Sequence, residues 1–196
     1  AIGRPDLSSP GYSHYPPSPS PCQTRPYPLP AFDASDWTAL PDTAASAELE
    51  QAARRFWNVT AEAAVLPAPG ASALIALLPG VADPRWARIE TPTYNEHAAA
   101  FANHGWSLTG SGPGEACVAV HPNNPDGRLW RADEITAPLS IIDESFCDIC
   151  PDQSLMALTS RPGVIILKSF GKFWGLAGMR LGFAIGDPEL IQRLAN

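Results

Sequence analysis

Apolar residues follow two rhythms along this chain. From residue 42 onward, short unbroken apolar runs alternate with stretches whose apolar positions recur every three or four residues. TAASAELEQAARRFW places Leu49, Ala52, Ala53 and Phe56 at i, i+3, i+4 and i+7, the spacing of one helix face. AAVLPAPGAS reads as a short strand and a turn, leading into a helix through SALIALL. WARIE predicts a strand, TPTYNE a loop and HAAAFANHG a second helix. ACVAVH predicts a strand that ends in the loop PNNPDGR. LSIID, GVIIL and RLGFAIG are further strand-length runs, and a last helix is expected over Pro188 to Ala195.

Runs that are apolar at consecutive positions fit strands buried on both faces of a sheet. Strands interleaved with helices predict an α/β fold. In open α/β sheets, ligands sit beyond the carboxyl ends of the strands. The polar residues expected there are Gly70, Ala71, Ser72, Tyr94, Asn124, Asp143 and the stretch from Ser169 to Lys172.

Composition changes the picture mainly at the N-terminus. Residues 1–41 hold ten of the 22 prolines. Proline fixes φ and lacks an amide donor, so an irregular arm is expected over 1–41, ahead of a domain over 42–196. A hydrophobic content of 45% supports a real core in that domain. A formal charge of −7 argues against a nucleic-acid partner, whose electrostatic footprint is basic. There is no run of eighteen apolar residues and no charged-then-apolar leader, so no membrane partner is expected. Four cysteines are too few for a disulfide scaffold at this length, and a reduced cytoplasmic protein is expected. The chain lacks an initial methionine and stops inside its last predicted helix, so it reads as a fragment.

The strand-end residues suit one cofactor chemistry. Pyridoxal phosphate needs a lysine to bond its aldehyde, a carboxylate for its pyridine nitrogen, an aromatic cover for its ring, and amides, a hydroxyl and an arginine for its phosphate. Lys172 lies after the VIIL run, with Ser169 and Arg180 on either side, and Asp143 ends SIID. Gly70-Ala71-Ser72 opens a helix, Tyr94 follows a strand, and Asn124 could donate to the ring oxygen. Lys172 must be neutral to attack an aldehyde.

SFGKFWGLAGMRLGF resembles the cofactor-lysine signature of fold-type I aminotransferases, with Ser169 three residues before the lysine and Arg180 eight after it. HPNNPDGR resembles that family's Asn-Pro-x-Gly loop, IIDESF its Asp-Glu-Ala-Tyr stretch, APGASALI its phosphate loop and TPTYNEH its stacking aromatic. Within the family the pattern is most similar to the threonine-phosphate decarboxylase branch of cobalamin biosynthesis, which is close to histidinol-phosphate aminotransferases.

The resemblance implies a three-layer large domain around a mostly parallel mixed sheet, with the small C-terminal domain outside this chain. It implies Lys172 and Asp143 as catalytic residues. Gly70, Ala71, Ser72, Tyr94, Asn124, Ser169 and Arg180 would join them in holding pyridoxal 5'-phosphate. It also implies a small amino-acid phosphate as substrate and a homodimer as the full-length form. Phe146 and Gly171 depart from the family, which usually has a tyrosine and a serine there.

Other features read more plainly. Lys168 directly follows the strand run and is assigned to support or the surface. CDIC (147–150) has zinc-ribbon or redox spacing, but no second pair accompanies it. His14, His97, His104 and His121 show no ligand spacing, so no metal is expected.

Overall fold

A computed structural model describes residues 31–196. The proline-rich stretch therefore lies mostly outside the described residues. Residues 31–40 carry no proline, and there a single helical turn, α1 (Ala34–Thr38), replaces the expected irregular chain. The turn is closed by a reciprocal cap. Asp33 accepts from the Ser35 and Asp36 amides, and the Asp36 carboxylate accepts from the Asp33 amide. Asp42 starts α2 (Thr43–Phe56) in a similar way, accepting from the Ala45 amide at 2.7 Å.

Seven strands then form one sheet. They are β1 (Ala64–Ala68), β2 (Trp86–Ile89), β3 (Ser107–Thr109), β4 (Ala116–Val120), β5 (Leu139–Asp143), β6 (Val164–Ser169) and β7 (Gly182–Gly186). Their order is β1-β7-β6-β5-β4-β2-β3. Only β7 runs against its neighbours, pairing antiparallel with both β1 and β6, and the remaining pairs are parallel. Helices α3 (Ala71–Leu77), α4 (Asn95–Asn103) and α5 (Pro188–Ala195) complete the set. The three-residue β3 is an edge strand without an apolar run, so the pattern of the sequence did not predict it.

Both faces of the sheet are covered, as consecutive apolar positions require. Ile141, Ile165 and Leu167 pack with Leu74, Phe101 and Ile191, from α3, α4 and α5. Their strand neighbours Ile142, Val164 and Ile166 turn to the other side, against Ala53 of α2, Trp130 and Met156. The alternation fixes what happens at the strand ends. Successive side chains point to opposite faces, so Asp143 faces α4 while Glu144 turns away. By the same rule Ser169 follows Leu167 and Lys168 follows Ile166. Among the described residues no helix is long and apolar enough to cross a membrane.

Candidate active site

One cavity lies beyond the ends of β4, β5 and β6. Gly70, Ala71, Ser72, Tyr94 and Asn124 line it, and so do Asp143, Ser169, Lys172 and Arg180. All nine residues predicted from the sequence are thus brought to one place. Phe146 and Gly171, the two departures, line it as well.

Asp143 ends β5 and is buried. Its Oδ2 lies 2.8 Å from His97 Nε2, and its Oδ1 accepts from the Ser145 amide at 3.0 Å. Burial alone pushes this carboxyl up. The hydrogen bond and charge of His97 and the Ser145 contacts outweigh burial, so the group is held below the ordinary carboxylate value. The cavity therefore presents a fixed anion at its floor. His97 is a residue that sequence reasoning missed. Its signal was helical spacing: Tyr94 caps α4 and His97 follows three residues later, in the first turn. The two rings meet edge to face, with centroids 6.1 Å apart.

Another part of the cavity lining is built around a glycine. Gly70 caps α3 with φ +90°, a region open essentially to glycine. A Cβ there would stand 2.9 Å from Arg180 Nη2, so the guanidinium rests against the bare backbone. Arg180 itself has φ +52°, a left-handed conformation rare for a side chain of this size. Gly182 at the start of β7 lets the same corner close, since a Cβ on it would lie 2.5 Å from the Ala71 amide nitrogen. Ser169 Oγ accepts from the Gly171 amide at 3.2 Å. A positive side chain, a hydroxyl and the first amides of α3 thus gather where an anion would be held.

Two loops carry the remaining groups. Asn123 ties them together, donating from Nδ2 to Pro92 O at 2.9 Å while its Oδ1 accepts from Thr93 Oγ1 at 2.6 Å. The loop of Tyr94 is thereby fastened to the loop of Asn124. Lys172 sits in the loop after β6, its Nζ 5.6 Å from the centre of the Phe146 ring. Where the family usually has a tyrosine hydroxyl, this chain offers Lys172 an aromatic face.

Lys168 is not a surface residue. It belongs to β6 and is 1% exposed. Its Nζ lies 2.7 Å from Glu144 Oε2 and 3.1 Å from Asp148 Oδ1. Glu144 also accepts from Ser154 Oγ and from the Leu155 amide. Burial alone lowers the Lys168 pKa, but Glu144 and Asp148 outweigh it and hold the ammonium form above its ordinary value.

CDIC lies against this cluster. His121, Glu144 and Cys147 bring potential ligand atoms within 4.8 Å of one another. His121 Nδ1 accepts from the Trp130 amide, which leaves Nε2 to donate to Gln153 O, so the imidazole has no lone pair left for a metal. Burial pushes the Cys147 thiol far up, away from the thiolate a metal needs.

The model of the family described as aminotransferase class I and II matches residues 113–196. A threonine-phosphate decarboxylase from Pseudomonas aeruginosa is 37% identical over 189 residues, covering 87% of this chain and 56% of the relative. A histidinol-phosphate aminotransferase from Mycobacterium bovis is 33% identical over 150 residues, covering 66% of this chain and 41% of the relative. The chain spans about half the length of these curated relatives. Among solved structures, the histidinol-phosphate aminotransferase of Sinorhizobium meliloti in complex with pyridoxal-5'-phosphate superposes with a TM-score of 0.66. It is 23% identical, and the match covers 83% of this chain and 52% of that one.

Pyridoxal 5'-phosphate is the cofactor these findings indicate. The residues present fit it: the cavity is lined by a buried carboxyl held toward its anionic form and by a glycine cradle that a Cβ would fill. Likeness in sequence and likeness in fold lead to the same place, and the chain belongs to the class I and II aminotransferase family.

Proposed function

We propose that this chain carries the cofactor-binding part of an enzyme that decarboxylates L-threonine O-3-phosphate to 1-amino-2-propanol phosphate, a step of cobalamin biosynthesis. The observation that carries the reading is the convergence of Lys172, Asp143, Asn124, Ser169 and Arg180 on one cavity at the strand ends. The Pseudomonas aeruginosa relative supports this substrate.

Each residue has a definite task in this reading. Arg180, Ser169 and the amides of Ala71 and Ser72 would bind the cofactor phosphate. Tyr94 would cover the ring and Asn124 would donate to its oxygen. Asp143, kept anionic by His97, would hold a proton on the ring nitrogen. Lys172 would anchor the cofactor through Nζ and give way to the substrate amine. Bound there, pyridoxal phosphate supplies an electron sink for a bond broken at the substrate's α-carbon. Lys172 Nζ would deliver the proton that takes the place of the carboxylate on the substrate's α-carbon, the carboxylate leaving as carbon dioxide. The active form in this reading is a homodimer.

The test is carbon dioxide release from L-threonine O-3-phosphate by the full chain. Stoichiometric release, with no transfer of an amino group from glutamate, is expected. Glutamate-dependent transamination of a histidinol-phosphate-type substrate would replace this reading with an aminotransferase. Cofactor binding without either reaction would mark an inactive remnant. Lys172→Ala should abolish the visible absorbance band of the bound cofactor, and a band that survives would refute the lysine assignment.

A further inference from the structure

Asp148 lies outside the cavity, yet its one carboxylate gathers donors from three separate parts of the fold. Oδ1 accepts from Trp57 Nε1 at 3.0 Å and from Lys168 Nζ at 3.1 Å. Oδ2 accepts from Trp174 Nε1 at 2.6 Å. Trp57 caps the C-terminus of α2, Lys168 belongs to β6, and Trp174 follows Lys172 by two residues. The Asp148 side chain is 8% exposed, so these bonds stand largely out of water, where a charged acceptor binds its donors more strongly.

The loop that carries Lys172 needs such a tether. Gly171 and Gly175 flank the lysine and leave its backbone conformationally free. The loop bonds to itself through the Gly175 amide to Lys172 O at 2.9 Å and the Leu176 amide to Phe170 O at 3.0 Å. Trp174 fastens it to the body of the fold. Its indole stacks on Phe170 with centroids 5.9 Å apart and meets Phe56 edge to face at 5.6 Å. Behind Asp148, Lys168 leads to Glu144, which directly follows Asp143 in the chain. A continuous path of contacts, buried at Glu144 and Lys168 and partly buried at Asp148 and Trp174, thus joins the strand end bearing Asp143 to the loop bearing Lys172.

We propose that Asp148 is a positioning residue, which through Trp174 fixes where the Lys172 amine stands relative to the cavity. Lys168 and Glu144 form the strut behind it. This rests on the reading of Lys172 as the group that bonds the cofactor.

The test compares two ligands on the full chain. Pyridoxal 5'-phosphate bonds to Lys172, whereas 4'-deoxypyridoxine 5'-phosphate offers the same ring and phosphate without the aldehyde. Trp174→Phe keeps the packing and removes the donor, and Asp148→Asn keeps the shape and removes the charge. Each variant should weaken the aldehyde ligand about ten-fold while leaving the deoxy analogue within about two-fold of the parent. Equal weakening of both ligands, no change in either, or failure of both variants to fold would overturn the proposal. A parent protein that binds neither ligand would instead overturn the reading of the site. Hydrogen exchange without ligand then decides. Trp174→Phe must speed exchange of the amides at 170–176 while leaving β6 protected, and an unchanged loop overturns the tether.

Discussion

The buried pair of Asp143 and His97 makes a prediction whose size depends on pH. Replacing His97 with Phe fills a similar volume but removes the partner 2.8 Å from Asp143 Oδ2. A hydrogen bond to a charged group is worth about 1.5–3 kcal/mol, and that is the expected loss of stability at pH 7. Misfit of the larger ring adds a pH-independent cost of about 1–3 kcal/mol, so only the pH-dependent part bears on the argument. In the parent, Asp143 sits below its ordinary value of 3.8. Its contribution is therefore complete above the unfolded value and is lost as pH falls through the folded one. Without His97, burial dominates and the folded carboxyl rises above the unfolded value. The variant should then gain stability relative to the parent as the solution is acidified. Urea unfolding at a series of pH values from neutral to about 4 measures the gap between the two proteins. His97→Gln, which keeps a donor, should recover part of it. A gap that stays constant across this range would mean that His97 does not set the charge of Asp143.

Three further outcomes are expected. Gly70→Ala puts a side chain at φ +90° and a methyl 2.9 Å from Arg180 Nη2. It should cost about 1–3 kcal/mol by thermal unfolding and weaken cofactor binding by isothermal titration. Gly171→Ser should be tolerated, because the added Cβ meets its nearest atoms at 3.5 Å. Its stability should stay within about 0.5 kcal/mol, and the new hydroxyl beside Ser169 should tighten cofactor binding several-fold in the same titration. Lys168→Met leaves Glu144 and Asp148 buried without their cation, and urea unfolding should read a loss of about 3–5 kcal/mol at neutral pH. Lys168 has a folded pKa above its ordinary 10.5, so its contribution is complete below that value. The gap between parent and variant should narrow as pH rises beyond it.

Much of the site was legible because chemistry and secondary structure coincide at strand ends. Asp143 closes an apolar run and Ser169 lies two residues beyond one, and the side-chain alternation of β5 and β6 sends both to the cavity face. The same alternation sends Lys168 inward beside Ile166. The apolar run stops at Leu167, and that boundary hid the last two residues of β6. Pairing with β7, where Lys168 faces Phe183 and Ser169 faces Gly182, carries the strand further than hydrophobicity does. His97 was obscured for a different reason. Its partner lies 46 residues away, and nothing in a local pattern joins a histidine on a helix to a carboxylate on a strand. The turn α1 was hidden by the prolines preceding it, since its aspartate cap is local and the proline count is regional.

The reversed strand β7 also sets an order of assembly. Among the described residues it is the only strand paired with β1, and it separates β1 from β6. The register joins Ala64 to Gly186, so the first strand of the sheet must wait for the last before it has a backbone partner. Closing so long a loop is slow, because its entropy is lost before the contacts it permits are gained. Gly70 and Arg180 border these two strands, so their meeting coincides with that closure. The corner that Gly70 and Arg180 share is therefore expected to be among the last parts of this fold to form.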